Sequence, residues 1–208
     1  MIDTLRLTRI LHFLETIDRF KLIYRANYLS EQSRHENDAE HTWHMAMFAL
    51  LLQNELDVAI DIEHTLKLIL THDLVEIYAG DTPAFDAVGN LDKEKREERA
   101  AHLLFAQLPE DLHDQIYGWW KEFEICRTPE ARYARALDKL QSFAQNVFSQ
   151  GRNWREHGIT AEKSRAINSA ARQFDLVLTQ AFELLYQRAI DEQLWFEPEK
   201  DPFAVSSG

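Results

Sequence analysis

Helical spacing of apolar residues, combined with few turn-forming residues, most constrains the fold of this chain. Leu7, Ile10, Leu11, Leu14 and Ile17 follow the i, i+3, i+4 spacing of an amphipathic helix. The 208 residues include only 6 glycines and 5 prolines, fewer than a β-rich fold of this length needs for its turns. No convincing strand, internal repeat or low-complexity segment is present. The sequence therefore predicts an all-α fold, a single-domain helical bundle.

The same spacing predicts helices along most of the chain. From Ala39 to Leu56 the apolar residues nearly encircle the helix, so we expect this helix to be central and buried. A helix over Ile62–Tyr78 should end at Gly80, and others are expected at about 93–108, 109–123, 129–148 and 161–190. Residues 1–190 are therefore assigned to one domain and residues 191–208 to a loose tail.

Two polar segments are predicted to be loops. The stretch SEQSRHEND precedes the helix that begins near Ala39, and Asn37 or Asp38 is placed to cap that helix. The stretch TPAFDAVGNLD, which follows Asp81, is long enough to cover a site.

Charge and composition limit the classes of partner that this chain can bind. The formal net charge is −12 and no basic run is present, which argues against binding to large nucleic acids but allows a small phosphorylated ligand in one basic pocket. The longest apolar run, Met45 to Leu52, is too short to cross a membrane, and the N-terminus lacks a signal-peptide pattern. Cys126 is the only cysteine, so no intrachain disulfide forms. We expect a cytoplasmic protein without a membrane partner.

The stretch LTHDLVEIYAGD places four polar residues in an otherwise apolar helix. These are His72, Asp73, Glu76 and Asp81. Burying an unpaired carboxylate is costly, and a divalent metal ion offsets that cost. Imidazole with carboxylate suits Mn, Co, Fe, Ni or Zn. On these residues alone, a helix whose His72 and Asp73 face solvent explains the pattern equally well.

Two further residues favour the metal interpretation. His41 lies in the first turn of the most hydrophobic helix, and Asp138 lies within another helix beside polar residues. Taken singly, His41 is typical of a core histidine, and Asp138 of a surface salt bridge to Lys139 or Arg135. Together with His72 and Asp73 they form a set on three helices, which a helical bundle can bring to one ion.

Four ordered motifs carry a family resemblance over residues 20–158. They are FKLIYR (20–25), ENDAEHTWHMA (36–46), THDLVEIYAGDTP (71–83) and ARYARALDKLQ (131–141). The chain resembles the HD-domain phosphohydrolases, and is similar to the branch that contains the bacterial 5'-deoxynucleotidase and its eukaryotic HD-domain relatives. The His-Asp pair alone is a weak signal, but the ordered set with HDxxExxxGD is a strong one.

The resemblance implies a helical bundle of the HD-domain type, an activity and a site. The activity is metal-dependent hydrolysis of a phosphomonoester, a nucleoside 5'-monophosphate, by a homodimer. The cofactor is one divalent transition metal ion, with Mg less suited because the ligands include imidazoles. The implied ligands are His41, His72, Asp73 and Asp138; Glu76 and Asp81 are the implied catalytic residues, and Asp81 and Arg25 are the implied substrate contacts.

Two other functions fit parts of the pattern. An HD phosphodiesterase or a two-metal HD enzyme needs extra histidines at the ions, and His102 and His113 sit in no matching motif. A non-catalytic helical scaffold stabilised by a metal has no use for Glu76, Asp81 and Arg25 around the ion.

One residue departs from the family pattern. In the bacterial deoxynucleotidase-like proteins the arginine that matches Arg25 is followed by a tryptophan bordering the sugar, whereas here Ala26 follows. The Ala26 methyl group is too small to crowd a 2'-hydroxyl as that tryptophan does, unless Tyr24, Tyr28 or Trp43 fills the space. We therefore expect weakened selectivity for deoxyribose.

Three sets of residues permit weaker predictions. Lys93 and Lys95 could reach a phosphate, although their charge-rich helix is typical of a solvated face. His44 could face the same site as His41, although packing is the commoner role. The aromatic helix around Trp119 and the long C-terminal helix offer apolar surface for a dimer contact.

Overall fold

Helices make up most of the structure, a computed structural model in which residues 3–198 are described. In chain order they are α1 (Thr4–Ile17), α2 (Asp38–Leu52), α3 (Ile62–Thr71), α4 (Glu76–Ala79), α5 (Lys93–Phe105), α6 (Glu110–Ile125), α7 (Pro129–Phe148), α8 (Arg152–Glu156), α9 (Ala161–Ile167), α10 (Ser169–Arg172) and α11 (Leu176–Asp191). Short 3-10 turns occupy Asp18–Leu22, Gln53–Glu55 and Gly89–Leu91. The predicted all-α fold class is confirmed.

Helix α7 is the centre of the bundle. Thr128 caps it by accepting a hydrogen bond from the N–H of Ala131, and Pro129 occupies the first turn, as the sequence predicts. The helix packs against α2, α3, α6, α10 and α11. Leu137 and Leu140 are fully buried in this core. Asp138 and Gln141, two polar residues on the buried side of α7, are therefore held inside the protein.

The predicted helix over Ile62–Tyr78 is interrupted. Helix α3 ends at Thr71, residues 72–75 form a turn, and α4 begins at Glu76. In the turn the N–H of Glu76 donates to the carbonyl of Asp73 at 2.9 Å, an i→i−3 bond that tightens the chain. Apolar spacing does not reveal this break, because Ile69 before the turn, Leu74 within it and Ile77 after it are all buried. Gly80, with φ of +76°, ends α4 as predicted.

Helix α2 begins as predicted but is not buried all round. Asn37 is its N-cap, and the Asn37 and Glu40 side chains form a reciprocal capping box. The helix ends at Leu52 rather than Leu56. Trp43 and Leu51 are 65% and 70% exposed, so the expectation of a central helix was wrong for this face. The opposite face carries His41 into the interior.

The structure contains a two-stranded hairpin that the sequence analysis did not predict. Strand β1 (Tyr24–Tyr28) pairs antiparallel with β2 (His35–Asn37), with an irregular register between the pairs Tyr24–Asn37 and Tyr28–His35. Strand β2 occupies part of the predicted loop SEQSRHEND, and is too short to show an alternating pattern. The Asn27 amide donates to the carbonyl of Ser142 at 2.9 Å, which fixes β1 against α7.

The C-terminal part differs from the single helix predicted over 161–190. It contains α9, α10 and α11, and Asp175 caps the last of these. Leu194 and Trp195, which the sequence assigns to a tail, are buried, and the Trp195 ring stacks on Trp154 with ring centroids 4.0 Å apart. These two residues therefore pack in the domain core. Residues 199–208 of the predicted tail lie outside the described residues. No helix within residues 3–198 combines the length and apolar content needed to span a membrane.

Candidate metal centre and cavity

Two histidines from different helices meet in the interior. His41 comes from the first turn of α2, and His72 follows the last residue of α3. Both side chains are buried, and their ring centroids are 5.7 Å apart. His41, His72 and Asp73 each offer one ligand atom, and these atoms lie within 4.8 Å of one another. The fold thus brings together three of the four predicted ligands at this point.

The hydrogen bonds of the two imidazoles define their tautomers. His41 Nδ1 lies 2.5 Å from Gln141 Oε1, and His72 Nδ1 lies 2.7 Å from the carbonyl oxygen of Ile69. Both partners are acceptors, so each Nδ1 carries the proton and each Nε2 keeps a free lone pair. Both Nε2 atoms are buried and lack a hydrogen-bond partner among the described residues. Two buried lone pairs directed at one region are the donor arrangement that a transition metal ion requires.

Carboxylates complete the set around the two Nε2 atoms. Asp73 Oδ2 lies 3.0 Å from His72 Nε2 and 3.9 Å from His41 Nε2, and Asp138 Oδ1 lies 3.3 Å from His41 Nε2. Ligand atoms that each bind one ion at about 2.1 Å lie about 3.0 to 4.2 Å apart. His41, His72 and Asp73 therefore fit a single ion, and Asp138 meets the same spacing towards His41. The role of the four residues as the ligand set stays a prediction.

The protonation states of Asp73, Asp138 and His41 agree with metal binding, whereas the pKa of His72 is lowered by burial but raised overall by Asp73. Burial raises the pKa of Asp73, but the adjacent His72 and Arg25 outweigh burial and bring it below its ordinary value. Burial likewise opposes ionisation of Asp138, and Lys139 and His41 reverse that effect, so its pKa also lies well below the ordinary range. Burial lowers the pKa of His41, which keeps this imidazole neutral. Ionised carboxylates and a neutral imidazole are the forms that bind metal ions.

Asp138 has two partners at once. Its Oδ2 lies 3.0 Å from Lys139 Nζ, while its Oδ1 faces His41. The salt bridge that the sequence offers as an alternative is therefore present beside the predicted metal-facing oxygen. The Asp138 side chain is 10% exposed and the Lys139 side chain 32%, so the pair links a buried carboxylate to a partly exposed lysine.

Arg25 lies among the carboxylates. Its Nη1 is 2.9 Å from Asp73 Oδ2 and 3.2 Å from Asp38 Oδ1, and its Nη2 is 3.8 Å from Asp138 Oδ1. Asp38 was missed as a site residue, because an aspartate beside Asn37 at a helix start is typical of a cap. It is fully buried, and burial raises its pKa to about 7 despite the nearby guanidinium.

Glu76 and Asp81 lie on the same side of the site. Glu76 opens α4 and is buried, and Asp38, Asp73 and Glu76 offer oxygens within 4.8 Å of one another. Burial, Asp73 and Asp38 together raise the pKa of Glu76 well above its ordinary value. Burial also raises the pKa of Asp81, although Arg25 opposes this shift. Two carboxyl groups that hold protons readily thus lie beside an ionised Asp73.

A cavity of about 590 Å³ opens onto these residues. Its wall includes Arg25, His72, Asp73, Glu76, Asp81 and Asp138. Lys93 also lines it, with Nζ 3.4 Å from Glu97 Oε1 and a side chain that is 33% exposed. It thus lies where a cavity ligand could reach it, and its role towards a phosphate stays a prediction. Lys95 is exposed and does not line the cavity. The cavity lining thus holds four basic side chains among seven carboxyl groups; the basic ones are Arg25, Lys93, Arg135 and Lys139.

The remaining candidate histidines lie elsewhere. His44 packs between aromatic rings of α2 and α7, including Phe48 and Phe148, and does not line the cavity. His102 and His113 both stack on Tyr117, with ring centroids 5.4 and 5.8 Å away. Among the described residues, neither His102 nor His113 belongs to a group that could hold a metal ion, so neither is the extra histidine of a two-metal enzyme.

Comparisons with known proteins agree with this geometry. The profile of the HD domain family matches residues 17–176. The 5'-deoxynucleotidase HDDC2 of Danio rerio is 31% identical over 136 residues, which make up 65% of this chain and 66% of that protein. The human protein of the same name is 28% identical over 137 residues, 65% of this chain and 66% of that protein. The matched segment thus spans slightly less than two thirds of these relatives.

Among solved structures, one from Magnetospirillum magnetotacticum MS-1 is similar over nearly the whole chain. That protein is described as a predicted metal-dependent phosphohydrolase and is 37% identical, with a TM-score of 0.86 over 95% of this chain and 100% of that one. The family profile covers most of this chain, and the fold and the ordered His, His-Asp, Asp set agree with it. The protein therefore belongs to the HD domain family.

Proposed function

We propose that this protein is a metal-dependent phosphomonoester hydrolase that releases phosphate from nucleoside 5'-monophosphates, including deoxynucleotides. The observation that carries the proposal is the pair of buried Nε2 atoms of His41 and His72, which have no hydrogen-bond partner within residues 3–198 and face ionised carboxylates. His72, Asp73 and Asp138 line the cavity. The names of the similar proteins, 5'-deoxynucleotidase and metal-dependent phosphohydrolase, support the same chemistry.

One divalent ion would be held by His41, His72, Asp73 and Asp138. Imidazole ligands favour Mn, Co, Fe, Ni or Zn over Mg. When bound, such an ion polarises the phosphorus centre and makes bound water more acidic.

The other residues bind the substrate and handle protons. Arg25 presents a planar guanidinium fork that suits phosphate oxygens, and Lys93 adds a second positive charge on the cavity wall. Glu76 either orients the attacking water or protonates the leaving ribose oxygen, and its buried position next to Asp73 suits either task. Asp81, which follows Gly80, also lines the cavity and would contact the substrate there.

A scaffold role explains less of the site. A closed structural metal site needs neither a cavity nor further charged groups around it. Here Glu76, Asp81 and Arg25 all line the cavity beside the predicted ligands.

The test is phosphate release by purified protein. Chelation should abolish release from a nucleoside 5'-monophosphate, and Mn²⁺ or Co²⁺ should restore it better than Mg²⁺. Equal or better restoration by Mg²⁺ would count against the site as described.

We also propose that the protein forms a homodimer in the cytoplasm. Helix α11 exposes three large apolar side chains, Leu176 at 60%, Leu184 at 74% and Ile190 at 50%. Light scattering should give twice the chain mass, and a monomer at micromolar concentration would contradict the dimer.

A further inference from the structure

Three residues of different elements meet the Gln141 amide on α7. Its Oε1 lies 2.5 Å from Nδ1 of His41 on α2. Its Nε2 lies 2.9 Å from Oε1 of Glu36 on β2 and 3.2 Å from Nδ1 of His44 on α2. Glu36 and Gln141 are 2% and 0% exposed, and neither they nor His44 line the cavity. The amide thus joins one predicted metal ligand to two residues outside the ligand set.

Hydrogen-bond partners, rather than packing, decide which way this amide points. Rotating an amide by half a turn exchanges its oxygen and nitrogen with almost no change in shape. An ionised carboxylate accepts hydrogen bonds and cannot donate them, so Glu36 requires the Gln141 nitrogen on its side. Burial lowers the pKa of His44, so this imidazole is neutral and its Nδ1 can accept the second N–H of the same NH₂ group. Two acceptors therefore hold the nitrogen, and Oε1 faces His41.

The orientation of the amide determines which nitrogen of His41 carries the proton. In the observed orientation Oε1 accepts from Nδ1–H, and Nε2 keeps the lone pair that faces Asp138. In the reversed orientation the NH₂ group would donate to Nδ1, and the proton would lie on Nε2. A protonated Nε2 has no lone pair for a metal ion. His72 has no such second arrangement, because the carbonyl of Ile69 can only accept.

We propose that Glu36 and His44 are positioning residues, which fix the orientation of the Gln141 amide and thereby keep the proton of His41 on Nδ1. This inference rests on the proposed function and extends the metal site to two residues that do not line the cavity. Burial raises the pKa of Glu36 to about 7, and a proton on its Oε2 still leaves Oε1 as an acceptor. Glu36 therefore acts through the orientation of Gln141 rather than through its own charge.

Nuclear magnetic resonance measures the tautomer of His41 directly. In metal-free protein with isotope-labelled histidine, the ring-nitrogen shifts distinguish the two neutral forms, and the signal missing from His41→Ala identifies the residue. At about pH 8, where Glu36 is largely ionised, the wild type should show the Nδ1–H form. Glu36→Met removes the acceptor at similar size and should populate the Nε2–H form. Its affinity for Mn²⁺ in calorimetry should fall about 10 to 100-fold.

Three further variants separate this role from a general effect on the core. Glu36→Gln keeps an oxygen that can accept from Gln141, and should restore the wild-type tautomer and Mn²⁺ affinity. His44→Phe removes the second acceptor within an aromatic cluster, should shift the tautomer in the same direction, and provides the test if Glu36→Met does not fold. Gln145→Leu is the matched control, because this buried amide, one turn along α7, donates to the carbonyl of Tyr28 and should affect neither quantity. Thermal melting identifies variants with a folding defect.

Each other outcome overturns a defined part of the proposal. The Nε2–H form in the wild type, or an unchanged tautomer in both Glu36→Met and His44→Phe, overturns it whatever happens to metal affinity. A shift in one variant alone removes the other residue from the proposal. An altered tautomer with wild-type Mn²⁺ affinity overturns the link to metal binding. If the wild type releases no phosphate while the tautomers behave as expected, the proposed function fails and the positioning role stands.

Discussion

The two histidines of the site are fixed by different parts of the protein. On the α2–α7 side, His41 Nδ1 is held by the Gln141 side chain, whose Nε2 donates to Glu36 Oε1 at 2.9 Å. On the α3 side, His72 Nδ1 is held by the main-chain carbonyl of Ile69 in its own helix. A side-chain partner can be removed by a single substitution, whereas a main-chain carbonyl cannot. We call the α2–α7 side the His41 half of the site and the α3 side the His72 half. Metal binding by the two halves should therefore differ in its sensitivity to mutations outside the ligand set.

The electrostatic surroundings of the two histidines differ as well. Burial and Arg25 both lower the pKa of His41. Burial also lowers the pKa of His72, but Asp73, 3.0 Å away, outweighs burial and raises it. Asp73 is thus the main electrostatic partner of the His72 half, and Asp138 lies next to the His41 half. A bound ion is what would join the two halves.

Removing a charged ligand should have the largest effect, because it disrupts both halves. Asp138→Asn keeps the size of the side chain but loses the charge that faces His41 Nε2. We expect metal affinity to fall by more than about a hundredfold, beyond the range seen for residues that only support a ligand, and phosphate release to be lost. Calorimetric titration of the variant with Mn²⁺ measures this. Full metal content would mean that Asp138 is not a ligand.

Glu76→Gln should affect chemistry without affecting metal binding. Glu76 lies beside Asp73, and we assign it to proton handling rather than to the ligand set. We expect kcat to fall by about 10² to 10⁴-fold while the metal content stays at the wild-type value. Metal analysis and steady-state kinetics on one preparation give both quantities. Loss of metal and fold together would place Glu76 among the ligands.

Gln141→Leu tests the asymmetry between the two histidines directly. It removes the acceptor that fixes the proton on His41 Nδ1, while His72 keeps its main-chain partner. We expect metal affinity to fall about 10 to 100-fold. Glu36 would lose its donor, but burial already raises its pKa to about 7, so it can take up a proton.

Gln145→Leu provides the comparison for that variant, because Gln145 is a buried glutamine on the same helix that donates to Tyr28 instead. Its metal affinity should match the wild type. Equal losses in the two variants would show that Gln141 acts only through the stability of α7.

The smallest expected effect concerns the sugar. Ala26 lines the cavity, whereas Tyr24 and Trp43 are 54% and 65% exposed, and neither they nor Tyr28 line it. The wall against a 2'-hydroxyl is therefore not rebuilt by these residues. We expect kcat/KM for dAMP to exceed that for AMP by less than about a hundredfold. A larger preference would show that another residue supplies the wall.

Local signals made the ligand-bearing helices predictable. The Asn37 capping box and Pro129 at the start of α7 act within one helical turn, so spacing alone located the helices that carry His41 and Asp138. The ordered motif supplied the grouping of the site residues, since helical periodicity contains no information about which helices meet.

Features set by tertiary contacts could not be read in the same way. The turn after Thr71 interrupts an apolar pattern that continues unchanged, and the β1–β2 hairpin is too short to alternate. Asp38 resembles a cap in sequence, yet it is buried because β1 brings Arg25 next to it. Asn153 lies in α8, and only the packing of α8 beside α7 brings it to the cavity.

The most direct test of the metal site is a titration of activity against metal. Chelator-treated protein, at a concentration well above the dissociation constant, is supplied with increasing Mn²⁺, and phosphate release from a nucleoside 5'-monophosphate is followed. One ion held by His41, His72, Asp73 and Asp138 predicts a linear rise that ends at one equivalent per chain. Activity in the metal-free protein, or a rise that continues to two equivalents, would contradict the single-ion site.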